Sequence, residues 1–380
     1  MKTVYLFGAG FSKDVANGPL MRECFARMAE WARGNPQPRY AERFLALEGA
    51  IRELEDFALV NLRQETKQQV QGYSWRNDLE RLITLLDALF ELGDWEFRPE
   101  LSIMPFDVEF VPGFYKQRIA QVKANLTVSL YQVLAPLCPL RPRKEALSNL
   151  FCHHFDVDSD TVATFNYDLV LERALWQLGL WTPNGGWAGV EPIKRLSFDQ
   201  QVSEKVDRSK VRILKLHGSV NWSPRATPCA HLQDLVTREW LFDGFGTRYG
   251  IQPIDTDRGW APQDVEWALP SLIKGLGDSP LLAAQWRDCQ RALAAADRVI
   301  AVGFSFPKQD TQARLLLGLV KPGANLVIVA PRENRGDGLG RAEHATDIAT
   351  AVKPVVDCRL TPINMTFSEW AERGCPPQEA

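Results

Sequence analysis

Apolar residues along this chain fall into two kinds of pattern. Five short runs are apolar at nearly every position: VYLF at 4–7, TVATF at 161–165, RILKL at 212–216, RVIAVGF at 298–304 and NLVIVA at 325–330. Runs of this length, rich in Val and Ile and without strict polar alternation, suit strands buried on both faces of a parallel sheet. Other segments space their apolar residues for helices instead. These are 21–33 (Phe25, Met28, Ala29, Ala32), 168–178, 279–296 (Leu282, Trp286, Cys289, Leu293, Ala296) and 310–319. Strands alternating with such helices predict an α/β fold, a Rossmann-like doubly wound parallel sheet.

The alternation is interrupted once. Residues 44–62 are rich in Leu, Ala and Glu, residues 78–92 set Leu79, Leu82, Ile83, Leu86, Leu89 and Phe90 on one helical face, and 117–134 form a third such segment. With no strand among them, 39–150 reads as a large helical insertion packed over the sheet domain. The sheet domain is then 1–38 and 151–380, including an irregular small subdomain at about 181–265 that is rich in Gly, Pro and Trp.

Composition narrows the class. The 380 residues are 45% apolar and 24% charged, ordinary globular material, and a net charge of −3 argues against a dedicated nucleic-acid or membrane surface. Arg141, Arg143 and Lys144 read as a solvated loop. The seven cysteines contain no CxxC pair, so neither a disulfide framework nor a zinc ribbon can be drawn. Cys152, His153 and His154 lack further ligands nearby in sequence, and no metal is predicted. The first apolar run breaks at Gly8 without a cleavage site, and no stretch reaches the length of a membrane span, so a cytoplasmic location is expected.

Candidate chemistry gathers at the strand ends. Gly8 and Gly10 after the first strand would let backbone N–H groups approach a pyrophosphate at a helix N-terminus. Lys13 stands where the GxGxxG fingerprint has its third glycine, and a tight turn after a buried strand is the other reading. Asn166 and Asp168 follow the second strand, where ligands of open α/β sheets collect; helix N-capping would equally account for them. His217 ends the third strand beside Gly218, fit for general-base or ribose-hydroxyl chemistry or for a structural hydrogen bond. Gly303 and Ser305 end the fourth, and 331–334 (PREN) follow the fifth.

GAGFS at 8–12 with Gly18-Pro19 after it, FNYD at 165–168, KLHGSVNW at 215–222 and VGFSFP at 302–307 occur in the order and approximate spacing of sirtuin-like domains. The chain resembles the prokaryotic branch of that superfamily, whose members are frequently NAD-consuming effectors of anti-phage defence. The resemblance implies that Gly8, Ala9, Gly10 and Ser12 hold the NAD+ phosphates and that Asn166 and Asp168 face the nicotinamide ribose and carboxamide. By the same resemblance His217 is the catalytic histidine on the ribose hydroxyls. Gly303 and Ser305 then lie on the adenosine side, and the adenine-ribose contact falls within 325–334.

Two departures bear on the reaction. The four-cysteine zinc ribbon of deacylating sirtuins is missing, and Phe165 stands where a glutamine usually precedes the asparagine. With no peptide tunnel implied, water is the expected acceptor of the ADP-ribosyl group. The expected activity is NAD+ glycohydrolysis to nicotinamide and ADP-ribose, with NAD+ as substrate. Protein deacylation or ADP-ribosyl transfer, a catalytically silent NAD or ADP-ribose sensor, and a hydride-transferring oxidoreductase are the alternatives. Because an unregulated NADase is toxic, a homo-oligomer and a separately encoded activator, such as a translocase-type ATPase, are the expected means of control.

Overall fold

The computed structural model describes residues 1–34, 144–188, 209–219, 279–307, 310–331 and 344–375, with isolated positions between 44 and 130 and the pairs 333–334 and 341–342. Most of the expected small subdomain, including Asn221 and Trp222, lies outside the described residues. In chain order the elements are β1 (Thr3–Phe7), α1 (Ala9–Ala16), α2 (Met21–Gly34), α3 (Lys144–His153), β2 (Thr161–Thr164), α4 (Val170–Gln177), the short α5 (Pro183–Gly186), β3 (Ile213–Lys215), α6 (Pro280–Ala295), β4 (Arg298–Val302), α7 (Thr311–Leu317), β5 (Asn325–Val329), β6 (Glu333–Asn334), β7 (Arg341–Ala342), α8 (His344–Val352), β8 (Arg359–Ile363) and α9 (Phe367–Glu372). They divide into two compact units, Met1–Leu20 with Leu134–Ala268 and Lys274–Ala380, and Met21–Val133 with Leu269–Ile273.

The first unit is built on a six-stranded sheet in the order β3-β2-β1-β4-β5-β8, parallel at every pairing. The chain walks outward from β1 to one edge through β2 and β3, then returns to build the other half from β4. That is the doubly wound Rossmann order, with its switch point between β1 and β4. Side-chain alternation splits the sheet's covering. Val4, Leu6, Ala163, Leu214, Val299, Ala301, Leu326 and Ile328 share one core with Trp286, Cys289 and Leu293 of α6, Leu316 and Leu317 of α7, and Ile348 and Val352 of α8. On the opposite face, the Phe7 ring meets Phe11 of α1 at 4.7 Å, Phe151 of α3 at 6.2 Å and Phe367 of α9 at 6.3 Å. Burial on both faces is why β1, β4 and β5 are apolar at successive positions.

Element ends differ from the sequence reading in small, explicable ways. The fourth strand stops at Val302 instead of running to 304, because Gly303 turns to φ 61°. Helices expected from Asp310 and Ser279 begin one residue later, with those two side chains as N-caps accepting from Ala313 N–H and Leu282 N–H. The edge strand β8 was not anticipated. Its sequence, RLTPI, carries Pro362, which a strand tolerates at a sheet edge, and lacks the apolar run of its neighbours.

In the second unit α2 buries Cys24, Phe25, Met28 and Ala32, and the Phe25 ring lies 5.4 Å from that of Phe44. Leu79, Leu82, Ile83 and Leu86 are helical and fully buried, the spacing that puts four side chains on one stripe. Val122, Leu126 and Leu130 are likewise helical and buried at every fourth position. Among the described residues, no helix is long and apolar enough to cross a membrane.

Candidate functional site

The carboxyl ends of β1 and β4 meet backbone to backbone at the switch point. Gly8 N–H donates to Val302 O at 3.0 Å and Gly10 N–H to Gly303 O at 2.8 Å. A Cβ on Gly8 would stand 2.5 Å from Phe304 Cβ, and one on Gly10 would stand 2.8 Å from Gly303 Cα. This packing by itself demands glycine at both positions. It also engages the two N–H groups that a phosphate would otherwise attract. α1 opens immediately afterwards at Ala9, so the helix N-terminus and its dipole sit at this same corner. Asn17, left-handed at φ 54°, ends α1, and Gly18 N–H returns to Ser12 O at 3.0 Å, closing the turn that precedes Pro19.

β2 delivers Asn166 into this corner. Thr164 Oγ1 donates to Phe7 O at 3.2 Å and accepts from Asn166 N–H at 3.0 Å, tying the strand end to β1. The Asn166 side chain, 7% exposed, donates from Nδ2 to Gly8 O at 3.0 Å and to Ser12 Oγ at 2.9 Å. A carbonyl oxygen can only accept, so Gly8 O identifies which amide atom is nitrogen. With both amide hydrogens committed, Oδ1 is what Asn166 can offer a ligand: a fixed acceptor.

Asp168 completes the cluster. Its Oδ1 accepts from Val170 N–H at 3.0 Å, and Ser12 also hydrogen-bonds to the carboxyl. Burial pushes the Asp168 carboxyl above the usual carboxylate range, against the opposing pull of Lys215, the Val170 N–H and the Ser12 hydroxyl. Neither polar residue is the N-cap of α4, which is Leu169 without a side-chain bond. The capping explanation therefore fails for Asn166, whose amide donates elsewhere, and survives for Asp168 only as a local turn to Val170.

Beneath the cluster lies an ion pair absent from the sequence reading. Lys215 of β3 and Glu172 of α4 are both 0% exposed, with Nζ 2.7 Å from Oε1. Lys215 Nζ also donates to Asp168 O at 2.6 Å, and Trp187 Nε1 donates to Glu172 Oε1 at 3.2 Å. The short strand β3 is held by α6, where Gln285 Oε1 accepts from Lys215 N–H and Trp286 Nε1 donates to Leu216 O at 2.6 Å. These contacts fix the backbone from which His217 projects.

His217 is 4% exposed, and its Nε2 lies 2.9 Å from Oδ2 of Asp310, itself 0% exposed. Its ring is bracketed by the two residues flanking Asn166: Phe165 edge-on at 5.1 Å and Tyr167 at 5.6 Å. Phe165 in turn stacks on Phe304 at 4.0 Å and 7°. Two hydrogen-bonded groups thus adjoin, Gly8–Ser12–Asn166–Asp168 and His217–Asp310, joined by an aromatic wall. Gly303 belongs to the backbone junction. Ser305 is exposed two residues further on, next to Phe306 with its positive φ of 47°.

A family model for the SIR2-like domain matches residues 160–333, the span from β2 to β6 that carries Asn166, Asp168, His217 and Asp310. Comparison with curated proteins gives no match. Among solved structures, Sir2Tm bound to a propionylated peptide is 13% identical, covering 98% of this chain and 90% of that one, with a TM-score of 0.37. A structure addressing sirtuin substrate affinity is 14% identical over 98% and 92%, with a TM-score of 0.38. A point mutant of a Sir2 homologue complexed with ADP-ribose is 10% identical over 98% and 90%, with a TM-score of 0.35.

Proposed function

We propose that this protein is an NAD+ glycohydrolase, cleaving NAD+ to nicotinamide and ADP-ribose. The observation that carries the reading is Asn166: a buried amide beside a switch point of parallel strands, with both hydrogens tied to Gly8 O and Ser12 Oγ so that a single oxygen is presented, next to the His217–Asp310 pair. The SIR2-like match over residues 160–333 is in keeping with it.

Breaking the N-glycosidic bond develops positive charge on the ribose, so the site must offer acceptors and negative charge held in advance. Asn166 Oδ1 accepts from the attacking water or a ribose hydroxyl and fixes its direction. His217 holds or deprotonates a ribose hydroxyl. Asp168 keeps Ser12, and through it Asn166, in place, and steadies the carboxamide. The phosphates lie toward the start of α1 around Ala9 and Ser12, with Gly10 allowing close backbone approach while its N–H stays on Gly303 O, and with Gly303 and Ser305 on the adenosine side. The chain contains no CxxC pair from which a zinc ribbon could be built, which favours water over an acylated peptide as acceptor. In the cell the protein then acts as an NAD-depleting effector of bacterial anti-phage defence, cytoplasmic, assembled as a homo-oligomer and switched on by a separately encoded activator.

The test is chromatography of NAD+ incubated with the full chain, alone and with the products of neighbouring genes. Equal release of nicotinamide and free ADP-ribose is expected. Acyl-ADP-ribose or a modified protein would instead establish a transferase, absorbance of a reduced nicotinamide an oxidoreductase, and intact bound NAD+ a sensor.

A further inference from the structure

α7 starts where it does because Asp310 Oδ1 accepts from Ala313 N–H at 2.9 Å. Capping needs only one side-chain oxygen, and Ser or Asn would supply it as well as Asp does. Asp310 is nevertheless fully buried, where an ionised carboxylate is costly unless something pairs with it. Its second oxygen answers this: Oδ2 reaches His217 Nε2 at 2.9 Å across 93 residues of sequence. An ionised carboxylate only accepts, so in this contact it is Nε2 that carries a ring proton. The Phe165 and Tyr167 rings hold the imidazole from the sides.

We propose that Asp310 is the positioning residue of His217, setting its tautomer and orientation so that Nδ1 can act as the base. This rests on the reading of His217 as the group that takes a ribose hydroxyl proton. In that step the O–H bond breaks with its electron pair left on oxygen, the proton is bound at Nδ1, and Asp310 stays ionised opposite the resulting imidazolium. Asp310 thereby links the first turn of α7 to the end of β3.

The experiment uses the full chain and its Asp310→Asn and Asp310→Ser variants. Both replacements keep an oxygen for the α7 cap; Asp310→Asn also keeps a polar group against His217 and is expected to melt as the wild type does, whereas Asp310→Ser, which removes the contact to the buried Nε2, is expected to melt lower. Asn places an N–H₂ donor opposite Nε2 and forces the proton to Nδ1. Histidine-selective ¹⁵N spectra, with the His217 signal assigned by its loss in His217→Gln, should report Nε2–H in the wild type and Nδ1–H in Asp310→Asn. Turnover of NAD+ in both variants should fall about 10²-fold or more with little change in KM, as when an orienting carboxylate is lost elsewhere. Capping as the sole role predicts wild-type turnover in both, and that result, or an unchanged tautomer in Asp310→Asn, overturns the proposal. The tautomer is read without substrate. If it switches as expected while the wild type releases no nicotinamide under any condition, the positioning stands and the glycohydrolase reading fails.

Discussion

Gly303→Ala is the substitution whose cost the structure defines most directly. Gly303 has φ 61°, and a Cβ there would lie 2.3 Å from Phe11 N, 2.6 Å from Gly10 C and 2.8 Å from Gly10 Cα. All three atoms are backbone and cannot swing aside. Two costs therefore add: about 1–2 kcal/mol for placing an L side chain in the left-handed region, and about 1–3 kcal/mol for forcing the packed backbone apart. The sum is about 2–5 kcal/mol. Gly323 provides the control, with φ 83° and nothing within 4 Å of its Cβ position, so Gly323→Ala incurs the conformational cost alone. The effect of alanine on the unfolded chain is common to both and cancels in the difference. Urea denaturation followed by tryptophan fluorescence should put the midpoint of Gly303→Ala well below that of Gly323→Ala, by a difference of about 1–3 kcal/mol. Equal midpoints would refute the argument that backbone contact, and not turn geometry, requires glycine at the switch point.

Three further outcomes are expected. Asn166→Ala and His217→Ala should each lower nicotinamide release by about 10²-fold or more, since each removes a preorganised transition-state partner; wild-type rates in both, under conditions where the parent chain is active, would remove them from the site. Lys215→Met leaves Glu172 buried, with Oε2 already lacking a hydrogen-bond partner, and should cost about 3–5 kcal/mol in urea denaturation, most of it recovered in the Lys215→Met/Glu172→Leu double variant; a double variant less stable than the single would contradict this. For Asp168 the carboxyl's folded pKa is raised by burial, so the folded state binds the proton more tightly than the unfolded one and loses stability as pH rises from the unfolded carboxylate range through the folded value. Asp168→Asn, which retains an acceptor for Val170 N–H, should flatten that part of a melting-temperature profile against pH and melt no lower than the parent at neutral pH.

Much of the candidate site's composition was legible in sequence because polar and glycine residues that close apolar runs leave a local mark. Val4–Phe7 could be read as a buried strand and Gly8-Ala9-Gly10 as a special turn from neighbouring residues alone, and FNYD and KLHG from the polar residues that close apolar runs. What could not be read was the choice between explanations. Asn166 fits an N-cap as well as a ligand group until its two hydrogens are seen on Gly8 O and Ser12 Oγ, 158 and 154 residues away. Asp310 looked only like a helix start, and Lys215 like one of two charged residues in an apolar strand. The available signal was the lysine itself: a charge at an inward position of RILKL requires a buried partner, but nothing local names Glu172.

The sequence by itself determined five of the six sheet strands, the helices that alternate with them and the layered α/β architecture, because periodicity and turn chemistry are local properties that follow from backbone geometry and from which faces must be buried. It also determined which residues stand at the carboxyl ends of the strands. Tertiary structure alone decided why the glycines are glycines, which atom of Asn166 is left to accept, and that His217 is held by a carboxylate from the far half of the sheet. Those facts are distances between residues that only the crossing of the sheet brings together, and a buried polar group acquires its role from whatever partner the fold places within 3 Å of it.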